Sequence, residues 1–103
     1  MNKTHKSAAQ DLRERGRNVL VRTFNNEDYL TTYTLDELEG TLDPVKFCRL
    51  NRQLIGHIKA CKSYESLDYG KLSMHMEPAP DVPATVSQLK APLVRKWMQE
   101  GNG

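Results

Sequence analysis

Lys71 to Met76 alternates Leu72, Met74 and Met76 with Lys71, Ser73 and His75, a period of two that suits a strand buried on one face. The same economy of short apolar runs and polar punctuation governs most of the chain. Val19 to Phe24 and Tyr29 to Tyr33 are rich in β-branched and aromatic residues, and Asn25-Asn26-Glu27-Asp28 between them has turn chemistry, which predicts a β-hairpin. Lys62 to Leu67, a tight turn at Asp68-Tyr69-Gly70, and Lys71 to Met76 predict a second hairpin. Phe47 to Asn51 reads as a short strand entering the polar turn Asn51-Arg52-Gln53, and Leu54 to Ile58 as a turn of helix or an irregular strand. Val82 to Val86 allows one more strand, with Pro83 placing it at an edge.

Two helices interrupt this pattern. Thr34 with Glu37 three residues later forms a capping box, followed by Leu35, Leu38 and Leu42 on one face; Pro44 blocks continuation. Ser87 to Gln99 is amphipathic, with Leu89, Leu93, Val94 and Trp97 expected to face inwards and Pro92 tolerated near the first turn. Residues 1–16 are polar, with a weak helical stretch around Ala8 to Arg15, and read as a frayed arm or short helix. The expected organisation is that arm, a domain over 17–100 and a tail over 101–103. The fold class is mainly β with short helices, an elongated antiparallel α+β arrangement closed by a C-terminal amphipathic helix.

The 103 residues suffice for one core. No apolar run approaches the roughly 18–20 residues of a spanning helix, and Lys3 and Lys6 precede no apolar stretch, so neither a membrane span nor a secretory signal is expected. Two cysteines, Cys48 and Cys61, are too few to staple the fold and point to reduced thiols in a cytoplasm. The net charge of +2 hides an asymmetry: residues 1–22 carry +4, residues 23–45 carry −6, and residues 46–63 hold five bases without an acid. One anion-seeking face accounts for this, and so do alternating solvated patches; the acidic stretch is also explained by the helix dipole.

Catalytic chemistry is not signalled. His5, His57 and His75 lack carboxylate or cysteine neighbours at metal-ligand spacing, and the four-residue step from His57 to Cys61 supplies too few ligands. No nucleophile elbow, Walker loop or dinucleotide turn is present. Neither an enzyme nor a cofactor nor a small-molecule substrate is expected.

The run Leu42-Asp43-Pro44-Val45-Lys46-Phe47-Cys48-Arg49-Leu50-Asn51-Arg52-Gln53-Leu54-Ile55 resembles the central motif of the LytTR (LytR/AlgR-type) DNA-binding domain of bacterial regulators. The resemblance extends to Tyr33–Glu39, Gly70-Lys71-Leu72 and Thr85–Pro92, spanning roughly residues 17–99. It implies a mostly β fold that binds duplex DNA through loops, with contacts from Arg17 and Asn18, from Asn51 and Arg52, and from Ser87-Gln88. Chemistry supports these types: Arg bonds guanine O6 and N7, and Asn or Gln bonds adenine N6 and N7. Arg49, Lys59, Lys62 and Lys90 are candidates for phosphates, although Arg49 equally suits an ion pair with a helix carboxylate and Asn51 a turn bonded to its own backbone.

Two departures from the family pattern stand out. Gln88 replaces a usual Arg, and residues 1–16 do not resemble the two strands that normally precede the first hairpin. The expectation is therefore a domain missing those strands, with an exposed sheet edge that invites pairing. The function expected is sequence-specific binding to double-stranded promoter repeats, as two copies, by a cytoplasmic transcription regulator. The rival is a truncated β domain that serves only protein interaction.

Overall fold

The computed structural model describes residues 9–102. Five strands form an antiparallel sheet in the order β3-β2-β1-β5-β4: β1 (Ala9–Arg15), β2 (Asn18–Thr23), β3 (Asp28–Thr31), β4 (Phe47–Asn51) and β5 (Leu54–His57). A second sheet, β6-β7-β8, contains Cys61–Ser66, Leu72–Met76 and Thr85–Val86. Helix α1 (Leu35–Thr41) follows β3, and α2 (Ala91–Asn102) closes the chain.

The larger sheet is covered on both faces. On one, Leu12, Val19 and Ile55 pack against Leu35 and Leu38 of α1. On the other, Cys48, Leu50 and Leu54 pack against Leu72, Met74, Met76, Val86, Val94 and Trp97 from the smaller sheet and α2. Close approach of the two sheets centres on Gly56, where a Cβ would lie 3.1 Å from Cys61 Sγ and 3.3 Å from Leu50 Cδ1. The capping box forms as expected: the Glu37 amide donates to Thr34 Oγ1 at 3.1 Å, and the Thr34 amide to Glu37 Oε1 at 2.9 Å. Both predicted hairpins and the alternating strand Leu72–Met76 form, and Leu54–His57 resolves as a strand.

Two expectations are corrected. Ala9–Arg15 is a strand, the central one of the larger sheet, so the polar arm through residue 16 fails from Ala9 onward, and residues 1–8 lie outside the described ones. Its polar side chains are buried because partners come from far away. Arg13, 1% exposed, pairs with Asp28 at 3.0 Å and Asp81 at 2.5 Å, and lies 3.5 Å from Asp11. The anticipated exposed edge before β2 is thus filled by β1, and the edges of the sheet are β3 and β4. Second, α2 begins at Ala91, so Leu89 precedes it and is 95% exposed. The buried face runs through Ala91, Val94, Trp97 and Met98, and this turns Leu93 outward.

Candidate nucleic-acid interface

Antiparallel pairing puts two turns at the same end of the larger sheet. Arg13 pairs with Leu54, and the Glu14 amide donates to the Gln53 carbonyl at 2.8 Å, so the β1–β2 turn (Gly16, Arg17) lies beside the β4–β5 turn (Arg52, Gln53). Gly16 has φ +61°, which the tight turn requires and glycine adopts freely. Arg17, Asn18 and Arg52 are exposed.

Asn51 joins a third segment to this end. Its Nδ2 donates to the carbonyls of Pro83 at 2.8 Å and Thr85 at 3.0 Å, and its Oδ1 accepts from the Gln53 amide at 2.8 Å. One side chain therefore closes its own turn and fastens the approach to α2. Arg49 braces the same turn from beneath: Nε donates to the Asn51 carbonyl at 2.8 Å and Nη2 to the Arg52 carbonyl at 2.9 Å. Its Nη1 meets Asp36 and Glu39 of α1, each at 2.9 Å, which is the ion pair with helix carboxylates that the sequence left open.

Pairing of Leu72 with Val86 brings Lys71 beside Ser87. A depression of about 590 Å³ is lined by Arg52, Lys71, Ser87 and Lys90, with Arg49, Asn51 and one acid, Glu39, also in its wall. Gln88 is exposed and packs over the turn before β7: a Cβ on Gly70, whose φ is +74°, would stand 2.9 Å from Gln88 Cγ. Arg52 and Gln88 thus belong to segments that Asn51 ties together. Arg17 and Asn18 sit at the neighbouring turn and do not line the depression. Of the other bases, Lys59 and Lys62 are exposed at the β5–β6 end of the chain path and line none of it. Lys71 also lines the depression and was not anticipated, because only the cross-strand register sets it against Ser87.

The chain leading into the 83–90 segment is also held by charge. Asp81 binds Arg13 and Arg15, and despite some desolvation its carboxyl is held below the usual range by Arg13. Asp28 is lowered by hydrogen bonds from Arg13 and Arg22. Asp11 moves the other way: burial raises it, against the Gln10 hydrogen bond and the Arg13 charge.

His57 and the two cysteines are packed inside the fold, whereas His75 is exposed beside Glu77. His57 is buried, accepts the Lys59 amide on Nδ1 at 3.0 Å, and meets Phe47 edge-on at 4.8 Å. Burial pushes the Cys48 thiol up to about 11 and the Cys61 thiol up to about 12. Among the described residues no cluster of three or more His, Cys, Asp or Glu could hold a metal, and no helix is long and apolar enough to cross a membrane.

The family model of the LytTr DNA-binding domain matches residues 10–99. Among solved structures, the LytTr DNA-binding domain of a response regulator from Bacillus cereus is similar, with a TM-score of 0.75 and 22% identity. The match covers 90% of this chain and 83% of that one. No curated protein matches.

Proposed function

The chain belongs to the LytTr DNA-binding domain family, and from that premise we propose that it binds double-stranded DNA sequence-specifically through the rim of turns described above. It would serve as the DNA-reading part of a cytoplasmic bacterial transcription regulator. The family is one of DNA-binding domains rather than enzymes.

The observation that carries the reading is the triple bonding of Asn51. It fixes the turn bearing Arg52 and the segment bearing Ser87 and Gln88 in one frame. Arg52 and Gln88, with Arg17 and Asn18 on the adjoining turn, are the groups we assign to base edges, where bidentate bonding discriminates sequence. Lys71 and Lys90 border the depression between them and are assigned to phosphates. Arg49 and Asn51 are assigned positioning roles, since their donors are already committed to the protein's own acceptors. Two copies on repeated half-sites would multiply a small interface.

The test is selection of bound fragments from the source genome, followed by titration of the selected duplex in rising salt. With about four to six phosphates neutralised, the log–log slope should lie near −4 to −5. Equal affinity for selected and random duplexes, or no DNA retained at low salt, overturns the proposal; the second outcome would favour a domain serving only protein contacts.

A further inference from the structure

A second depression, of about 540 Å³, shares Glu39, Arg49 and Lys90 with the DNA-facing one. That volume lies within the roughly 300–1,000 Å³ of small-molecule clefts. It runs between α2 and the segment from Leu42 to Arg49. The α2 side presents one helical stripe, Lys90, Leu93, Trp97 and Glu100. The facing segment is antiparallel to it: Arg49 and Cys48 lie at the Lys90 end, and Trp97 Nε1 donates to the Val45 carbonyl at 3.0 Å further along.

The groove is apolar along its length and electrically uneven. Leu42, Pro44, Val45, Phe47, Leu93 and Trp97 supply its walls, with Val45 64% and Leu93 58% exposed. Arg49 is engaged by two carboxylates, Glu39 and Asp36. Lys90 makes no ion pair with a described residue, and it stands at the N-terminal, positive end of α2. Lys96 and Glu100 both line the opposite end, so that end presents charges of both signs.

We propose that the groove binds an amphipathic organic anion, its single anionic head at Lys90 and its apolar body along Leu93 and Trp97. Because Lys90 also borders the DNA-facing depression, the bound anion competes with DNA phosphate there. This second clause rests on the DNA-binding reading; the site itself does not.

Trp97 is the single tryptophan of the chain and lines the groove, so its emission reports occupancy. Decanoate serves as the probe, with 1-decanol as its uncharged counterpart. Decanoate should shift Trp97 emission saturably while far-UV circular dichroism stays constant. 1-Decanol should bind about tenfold more weakly, the contribution of one charge-assisted contact. Lys90→Gln should erase the difference between the two probes. Leu93→Glu, at an exposed position, should abolish the response. With the wild-type chain, decanoate should raise the Kd for a selected duplex; with Leu93→Glu it should not.

No saturable shift, equal binding of acid and alcohol, or a response that survives Leu93→Glu overturns the site. Emission that depends on protein concentration and becomes constant in Leu93→Glu would hand the groove to a second copy, also overturning it. Saturable binding with unchanged DNA affinity overturns the competition. If no DNA is retained at all, the DNA reading fails, and the Trp97 titration still decides the site.

Discussion

The guanidinium of Arg13, in the middle strand of the larger sheet, meets the carboxylate of Asp81 at 2.5 Å across 68 residues of sequence. This pair ties the sheet to the segment that leads into β8 and the rim. Arg13 is almost fully buried and also serves Asp28 and Asp11. Arg13→Ala should therefore destabilise the fold by about 3–5 kcal/mol, because it strands a buried carboxylate. Asp81→Asn removes a partly exposed partner and should cost no more than about 1 kcal/mol. Urea denaturation followed by Trp97 fluorescence measures both, and equal losses would refute the asymmetry.

Asn51 and Arg52 are neighbours to which the proposal gives different work. Arg52→Ala should weaken binding to a selected duplex by about 1–3 kcal/mol and relax the preference at one base position. Asn51→Ala should weaken binding to all duplexes alike, because it frees the Pro83 and Thr85 carbonyls and loosens the rim without removing a base contact. Titration against the selected site and its single-base variants separates the two. A change in base preference on Asn51→Ala would make it a reader.

His57 should make stability depend on mild acid. Burial, then the charges of Lys59 and Lys46, hold its pKa below the ordinary 6.5. The unfolded chain therefore takes up a proton first as pH falls, so stability is complete above 6.5 and declines through the window down to the folded pKa. His57→Phe loses the acceptor for the Lys59 amide and should be less stable at neutral pH, but without that slope. Urea midpoints at neutral and mildly acidic pH test this. An unchanged slope in the variant would place the sensitivity elsewhere.

Both thiols should be inert while the protein is folded. Cys48 and Cys61 are buried and their pKa values are pushed up to about 11 and about 12, so the reactive thiolate is scarce near neutrality. Ellman's reagent should label neither at pH about 8 until urea unfolds the chain, and then both. Rapid labelling of the native protein would contradict the burial.

Local chemistry was readable along the chain, and distant compensation was not. Thr34 and Glu37 announce a helix start because their bonds span three residues. Leu72, Met74 and Met76 announce a strand because burial on one face needs only alternation. Asp11 and Arg13 conceal a central strand, since the charges that make their burial tolerable lie at Asp28 and Asp81. Leu89 and Leu93 misled for a related reason: where α2 starts decides which leucines face in, and that start is set at Ala91 by the Ser87 carbonyl and the turn before it. At the rim, the motif around Asn51 and Arg52 was visible, whereas the use of Asn51 as a clasp required knowing what stood opposite.

Because β1 lies between β2 and β5, the ribosome delivers one of its two neighbours some forty residues late, by the spacing of their sequence positions. A nascent chain that stops short of Leu54 has a hairpin with one flank bare and no seat for the turn of Arg52. If the rim is the DNA-reading surface proposed above, a half-made domain has nothing with which to grip a duplex, and competence arrives late in synthesis and all at once.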